Sequence, residues 1–171
     1  MKIKNLLKLF SLTFLTSLFF SCSDNDSSST TETSQSRNYI KNISAASLYD
    51  PLEKKGFNID KQIGSDAIFV NCDRSTSEYS EHVRISGDES SEINEIKASY
   101  TNYSTGKINN KAKPFLGFIA TLPYENSNPE QAKKWVEENI DKNSQIEING
   151  VIFEIIGNSK NIRTLLITPK S

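Results

Sequence analysis

The sequence predicts an α+β fold: an antiparallel sheet of about seven strands with two to three helices on one face. The predicted chain order is one helix, four strands, two helices, three strands. Three observations lead there. Apolar residues alternate at period two from Phe57 to Tyr100 and again from Ile146 onward, whereas between Ala112 and Ile140 they recur at helical spacing. Asn149-Gly150 separates two β-rich runs, the strongest short-range hairpin signal. Strands also come in blocks instead of alternating singly with helices, which favours antiparallel pairing over βαβ units.

Each element has its own signature. Ser44 to Lys55 carries Ala46, Leu48, Tyr49 and Leu52 and stops at Gly56, a short helix with a glycine end. Asp50-Pro51 predicts that this helix starts near Pro51 or kinks there. Phe57, Ile59 and Ile63 mark a first strand, turned by Gly64-Ser65. Ala67 to Cys72 is β-rich and nearly continuous, hence a central strand. Val83 and Ile85 give a third strand, bounded by Gly87-Asp88, and Ile96, Ala98 and Tyr100 a fourth.

Ala112, Phe115, Leu116, Ile119 and Leu122 then share a helical face, with Pro114 expected in the first turn and Pro123 as the stop. The next helix announces its start: Asn128 as N-cap, Pro129 at the first helical position and Gln131 at the capping-box position. Ala132, Trp135, Val136 and Ile140 line one side of it. Ile146 to Ile148 and Val151 to Ile155 form the hairpin arms. A last strand, Ile162 to Thr168, is expected after a turn at Gly157-Asn158-Ser159. The layout is similar in topology to the β-lactamase-inhibitor-protein and cystatin-like folds, without a shared motif, so it implies nothing about activity.

Composition narrows the chemistry. The chain has 171 residues, 36% of them apolar, with 20 basic and 21 acidic side chains, one His and two Cys. That length is about one domain. A net charge of −1 offers no basic excess for nucleic acid. One His and two Cys leave little for a zinc site, a disulfide framework or His-based catalysis.

The first 21 residues hold Lys2, Lys4 and Lys8 and no acid, then an apolar stretch from Leu9 to Phe20 interrupted only by Ser11, Thr13, Thr16 and Ser17. A basic start, a run of about a dozen apolar residues and a small-residue end make a secretory signal peptide. Spanning a membrane takes about 20 apolar residues, more than Leu6 to Phe20 supplies. Leu18-Phe19-Phe20-Ser21-Cys22 resembles the lipobox of bacterial lipoprotein precursors, with Phe19 and Phe20 in place of the usual Leu and small residue. The resemblance implies cleavage before Cys22, a diacylglycerol thioether on its thiol and an acylated amine. Cleavage after Ser23 by an ordinary signal peptidase is the competing reading.

Ser23 to Ser36 is dominated by Ser and Thr and has no aliphatic or aromatic side chain, so nothing there offsets the entropy of ordering. It reads as a tether with a root-mean-square reach of about 20 Å. Ser23, Asp24 and Asp26 directly after Cys22 resemble the export signal of surface lipoproteins in some Gram-negative bacteria; a plain solvated linker is the alternative. An EF-hand counted from Asp24 fails, because Ser29 and Gln35 stand where Gly and Glu are needed. The expected division is a signal peptide at 1–21, lipidated Cys22 with its tether at 22–37 and a single domain at 38–171. Removing residues 1–21 takes three lysines with it, moving the net charge from −1 to about −4.

Within the domain, Cys72 is expected as a small buried residue, and His82 as a solvent-facing side chain without catalytic partners. Trp135 is read as core, and Asp88, Glu89 and Glu92 as a solvated acidic loop. Pro114 to Tyr124 is the most hydrophobic piece of the mature chain, read as a core helix with Gly117 at a close approach. Tyr100, Tyr103 and Tyr124 are candidates for an exposed recognition surface. No catalytic residue, cofactor or metal ligand is assigned. The function expected is a non-enzymatic lipoprotein of the outer membrane, exposed on the cell surface and anchored through lipid on Cys22. Its small domain would bind an unidentified protein or envelope partner or play a structural part, with no role in nucleic-acid binding. The alternative is an inhibitor or immunity-type protein acting on a secreted enzyme.

Overall fold

Ten elements follow one another in the expected order. The computed structural model describes residues 38–104 and 108–171, so Cys22, Ser23, Asp24, Asp26, the signal peptide and the tether lie outside the described residues. Helix α1 (Ala45–Glu53) precedes strands β1 (Asn58–Ile63), β2 (Ile68–Ser75), β3 (Tyr79–Gly87) and β4 (Ile93–Asn102). Helices α2 (Ile108–Ile119) and α3 (Pro129–Asn139) come next, then β5 (Ser144–Ile148), β6 (Val151–Ser159) and β7 (Ile162–Pro169). The strands make one antiparallel sheet in the order β1-β2-β3-β4-β7-β6-β5. Two meanders are therefore joined where β7 returns to pair with β4, and all elements belong to one compact unit, Gln35–Ser171.

Local chemistry sets the boundaries. Ser44 caps α1 reciprocally: its Oγ accepts from the Ser47 N–H, and Ser47 Oγ accepts from the Ser44 N–H, both at 3.2 Å. Gly56 ends the following turn at φ +83°, where a Cβ would strain the backbone. Asn128 Oδ1 accepts from the Gln131 N–H at 3.1 Å to start α3, with Pro129 in its first turn. Asn149 and Gly150, at φ 50° and 84°, turn β5 into β6 as a type I′ pair does. At the far end of β3, Gly87 is required because a Cβ there would run into the Glu92 carbonyl, next to a register shift at Ser86/Gly87.

Three boundaries differ from expectation. Helix α2 starts at Ile108, so Pro114 lies inside the helix and not in its first turn, and the helix ends at Ile119 before Leu122. In α1, a start near Pro51, one of the two expected readings, is excluded: the helix begins at Ala45 and holds Pro51 inside it. The turn before β7 falls at Lys160 and Asn161, because β6 continues through Gly157 to Ser159 with an irregular register after Ile156.

All three helices cover one face of the sheet. Val83, Ile85, Ile96, Ala98, Phe153, Ile155, Leu165 and Ile167 point into it and are essentially excluded from water. Leu48 and Leu52 from α1, Leu116 and Ile119 from α2 and Val136 from α3 close over them. Each fully buried Leu, Ile or Phe contributes about 1.5–3 kcal/mol. The opposite face carries the alternate residues and no helix among the described residues.

Candidate functional site

Between α1 and α2 the helical layer is open. A groove of about 230 Å3 runs there, floored by Val83 of β3 and Ile96 of β4. Leu48, Pro51 and Leu52 form one wall; Phe118 and Ile119 form the other, and Leu122 closes the end. The sequence builds this opening in two ways. Helix α1 is short, ending at Glu53 ahead of the left-handed Gly56, and α2 packs against α3, where a Cβ on Gly117 would lie 3.5 Å from Lys133 Cγ, an ordinary contact. Pro51 also lacks an N–H, so the Ser47 carbonyl at the groove rim receives no helical hydrogen bond from it.

Phe118 separates this apolar compartment from a second pocket of about 170 Å3, which it also lines. Lys55 Nζ lies 4.6 Å from the centre of the Phe118 ring. The second compartment is charged. Arg74 Nε donates to Glu81 Oε2 at 2.7 Å, Arg74 Nη1 donates to the Lys55 carbonyl at 2.8 Å, and the guanidinium lies over Phe57. Phe57 in turn stacks on Phe115 at 6.0 Å. Glu81 is only 5% exposed, so its charge is held by Arg74 rather than by water.

Tyr100 stands opposite Glu81 in the β3–β4 register, stacked on Tyr79 at 5.6 Å. Its hydroxyl is buried with no hydrogen-bond partner. Burial, and after it the nearby Glu81 carboxylate, pushes the phenol up to about 12. The phenol therefore stays neutral at physiological pH. The site thus offers an apolar slot, an aromatic partition and a guanidinium–carboxylate pair.

The residues singled out from sequence fall elsewhere. Cys72 is fully buried in β2, where burial pushes its thiol up to about 12. His82 is on the sheet face away from the helices, its Nδ1 2.7 Å from Asp73 Oδ1. Trp135 is partly buried against the core, and Asp88 accepts from the Tyr39 hydroxyl at 2.8 Å. Of the three tyrosines, only Tyr103 is exposed, at 61%. Tyr100 and Tyr124 are core, the latter donating from its hydroxyl to the Ile148 carbonyl at 2.9 Å. The expectation that Tyr100 and Tyr124 stay partly exposed is corrected: Tyr100 is in phase with Ile96 and Ala98, so it enters the covered face.

The pair Arg74–Glu81 was missed although its signal was present. Glu81 is in phase with Val83 and Ile85, and Arg74 with Val70 and Cys72, so both had to face inward. Among the described residues, no group of three or more His, Cys, Asp or Glu converges as a metal site needs. No protein-family model, curated protein or solved structure matches the chain.

Proposed function

We propose that this chain is a lipoprotein of the outer membrane, exposed at the cell surface and anchored through Cys22. Its domain is a binding module, not an enzyme, that takes an apolar group of its partner into the groove between α1 and α2. The observation that carries the binding reading is the groove itself: a preformed apolar slot floored by Val83 and Ile96, beside a polar pair that can orient what enters. A basic and apolar leader ending in Ser21-Cys22, followed by a Ser- and Thr-rich tether, supports the anchoring.

Two experiments test the two halves. Palmitate labelling of intact cells should mark the wild type and leave Cys22→Ala unlabelled; label that survives the substitution removes the anchor. Protease shaving should cut the domain from intact cells, and full protection would withdraw the surface assignment alone. For the groove, an environment-sensitive apolar dye should bind the full-length protein saturably and lose that binding in Thr121→Phe, which plugs the slot from its rim. Equal dye binding by both proteins overturns the groove reading. A co-purified secreted hydrolase that loses activity on contact would shift the reading toward an inhibitor.

A further inference from the structure

The sheet face opposite the helices carries a pattern of its own. On β7, Ile162 and Leu166 point to this side, and on β6 so do Ile152 and Ile156, all of them half-buried with no helix among the described residues over them. Leu166 is flanked in register by Lys97 on β4 and Glu154 on β6. One strand further out, Lys97 is paired with Arg84 and Glu154 with Gln145. Read across the strands, the row is Arg84, Lys97, Leu166, Glu154, Gln145: cationic on one side of an apolar centre, acid and amide on the other.

Reversed about Leu166, such a row complements itself. We propose that this face docks a second copy of the chain through a two-fold axis parallel to β7. That rotation sets Leu166 on Leu166 of the other copy, and Lys97 on its Glu154 in both directions, as an isologous contact requires. Arg84 then meets Gln145. In the neighbouring rows the same rotation sets Ser99 toward Ile156 and Glu95 toward Ile152, so no like charges are opposed. Two sheets packed face to face lie about 10 Å apart with strands nearly aligned, which this axis permits. The occupant is a second copy because the charge pattern is antisymmetric about its own centre; a different partner would need no such relation between Lys97 and Glu154.

The test uses the full-length protein in membranes. A short bis-maleimide should join Leu166→Cys into a covalent dimer, since the two thiols lie on the axis; Cys72 is fully buried, and controls without Leu166→Cys, with and without Cys22→Ala, show that no other thiol is joined, whether or not the proposed lipid blocks Cys22. Asp60→Cys, on the same face at the far edge strand, should stay monomeric. In the Leu166→Cys background, Lys97→Glu should cut the cross-linking yield at least several-fold by opposing Glu154. Adding Glu154→Lys should restore it, because the reversed charges again match. Failure of Leu166→Cys to cross-link, equal yields at Asp60→Cys, or no rescue by the charge swap overturns the proposal. Sedimentation of the unsubstituted protein in detergent gives an independent reading: twice the monomer mass is expected, and a monomer at all concentrations refutes it.

Discussion

Asp73–His82 and Arg74–Glu81 are consecutive rungs of the β2–β3 ladder, each an acid and a base 2.7 Å apart, yet they sit on opposite faces of the sheet. On the open face, both side chains of Asp73 and His82 reach water. On the covered face, Arg74 lies against Phe57 and Glu81 is almost wholly buried at the bottom of a small pocket. One residue of register decides which pair is structural. The same alternation divides β6, where Phe153 is fully buried and Ile152, its neighbour, is half-exposed. The contrast teaches that this domain keeps its stability on the covered face and leaves the other to water.

The largest expected effect breaks the covered face. Phe153→Ala removes a ring with no exposure that packs against Tyr124 at 6.1 Å, and should cost about 3–5 kcal/mol of unfolding free energy. Ile152→Ala, one residue away, should cost under about 1.5 kcal/mol at a concentration too low for association, because its cavity opens to solvent. Urea denaturation of both variants measures the difference. Equal losses would mean that the two faces are equally enclosed.

Arg74→Ala comes next. It strands the Glu81 carboxylate in a buried place, which costs about 3–5 kcal/mol for a fully enclosed pair; Arg74 is itself partly exposed, so about 2–3 kcal/mol is expected. The double substitution Arg74→Met with Glu81→Leu should recover most of that loss, since no charge is then left without a partner. A double variant no more stable than Arg74→Ala would show that the pair does more than satisfy Glu81.

These contrasts also show what single-chain reading reaches. Period-two alternation located β1, β3 and β4, a continuous β-rich run located β2, and Asn149-Gly150 located the hairpin, because these signals are local. The start of α2 was not legible: Asn109, Asn110 and Lys111 show no apolar periodicity, and Pro114 mimics a first turn. Gly157 looked like a turn although the β6–β7 pairing runs past it. The groove was beyond reach for a different reason. Leu48, Leu52, Ile119 and Leu122 read as ordinary core residues, and nothing in their spacing tells that α1 and α2 stand apart. Glu81 was legible in principle, since a carboxylate in phase with Val83 and Ile85 needs a cation across the strand.

A pH titration sharpens the comparison from the covered side. Cys72 and Tyr100 both hold their protons up to about 12 when folded, against 9.0 and 10.0 for the ordinary groups. The unfolded chain therefore releases protons first, and the stability these two groups contribute is complete below about pH 9 and lost as pH rises toward 12. Unfolding midpoints should be insensitive to Cys72→Ala substitution in their pH slope up to pH 8. Above pH 9, the variant should lose stability less steeply than the wild type. Parallel slopes through that range would show that the thiol is not enclosed.

The smallest effect belongs to the exposed rung. His82→Ala removes the base from Asp73, but water replaces it on both sides, and exposed pairs are worth about 0–1 kcal/mol. The expected loss is under about 1 kcal/mol, and 0.5 M salt should erase whatever ionic part it has, since the Debye length falls to about 4 Å at that strength. Salt should leave the cost of Arg74→Ala largely in place, because Glu81 is only 5% exposed and is screened far less than a surface charge. The paired measurement therefore sets a buried rung against an exposed one of equal distance. If salt weakened both substitutions equally, the covered face would have to admit solvent at Glu81, and the separation between a sealed and an open side of this sheet would fail at its most direct point.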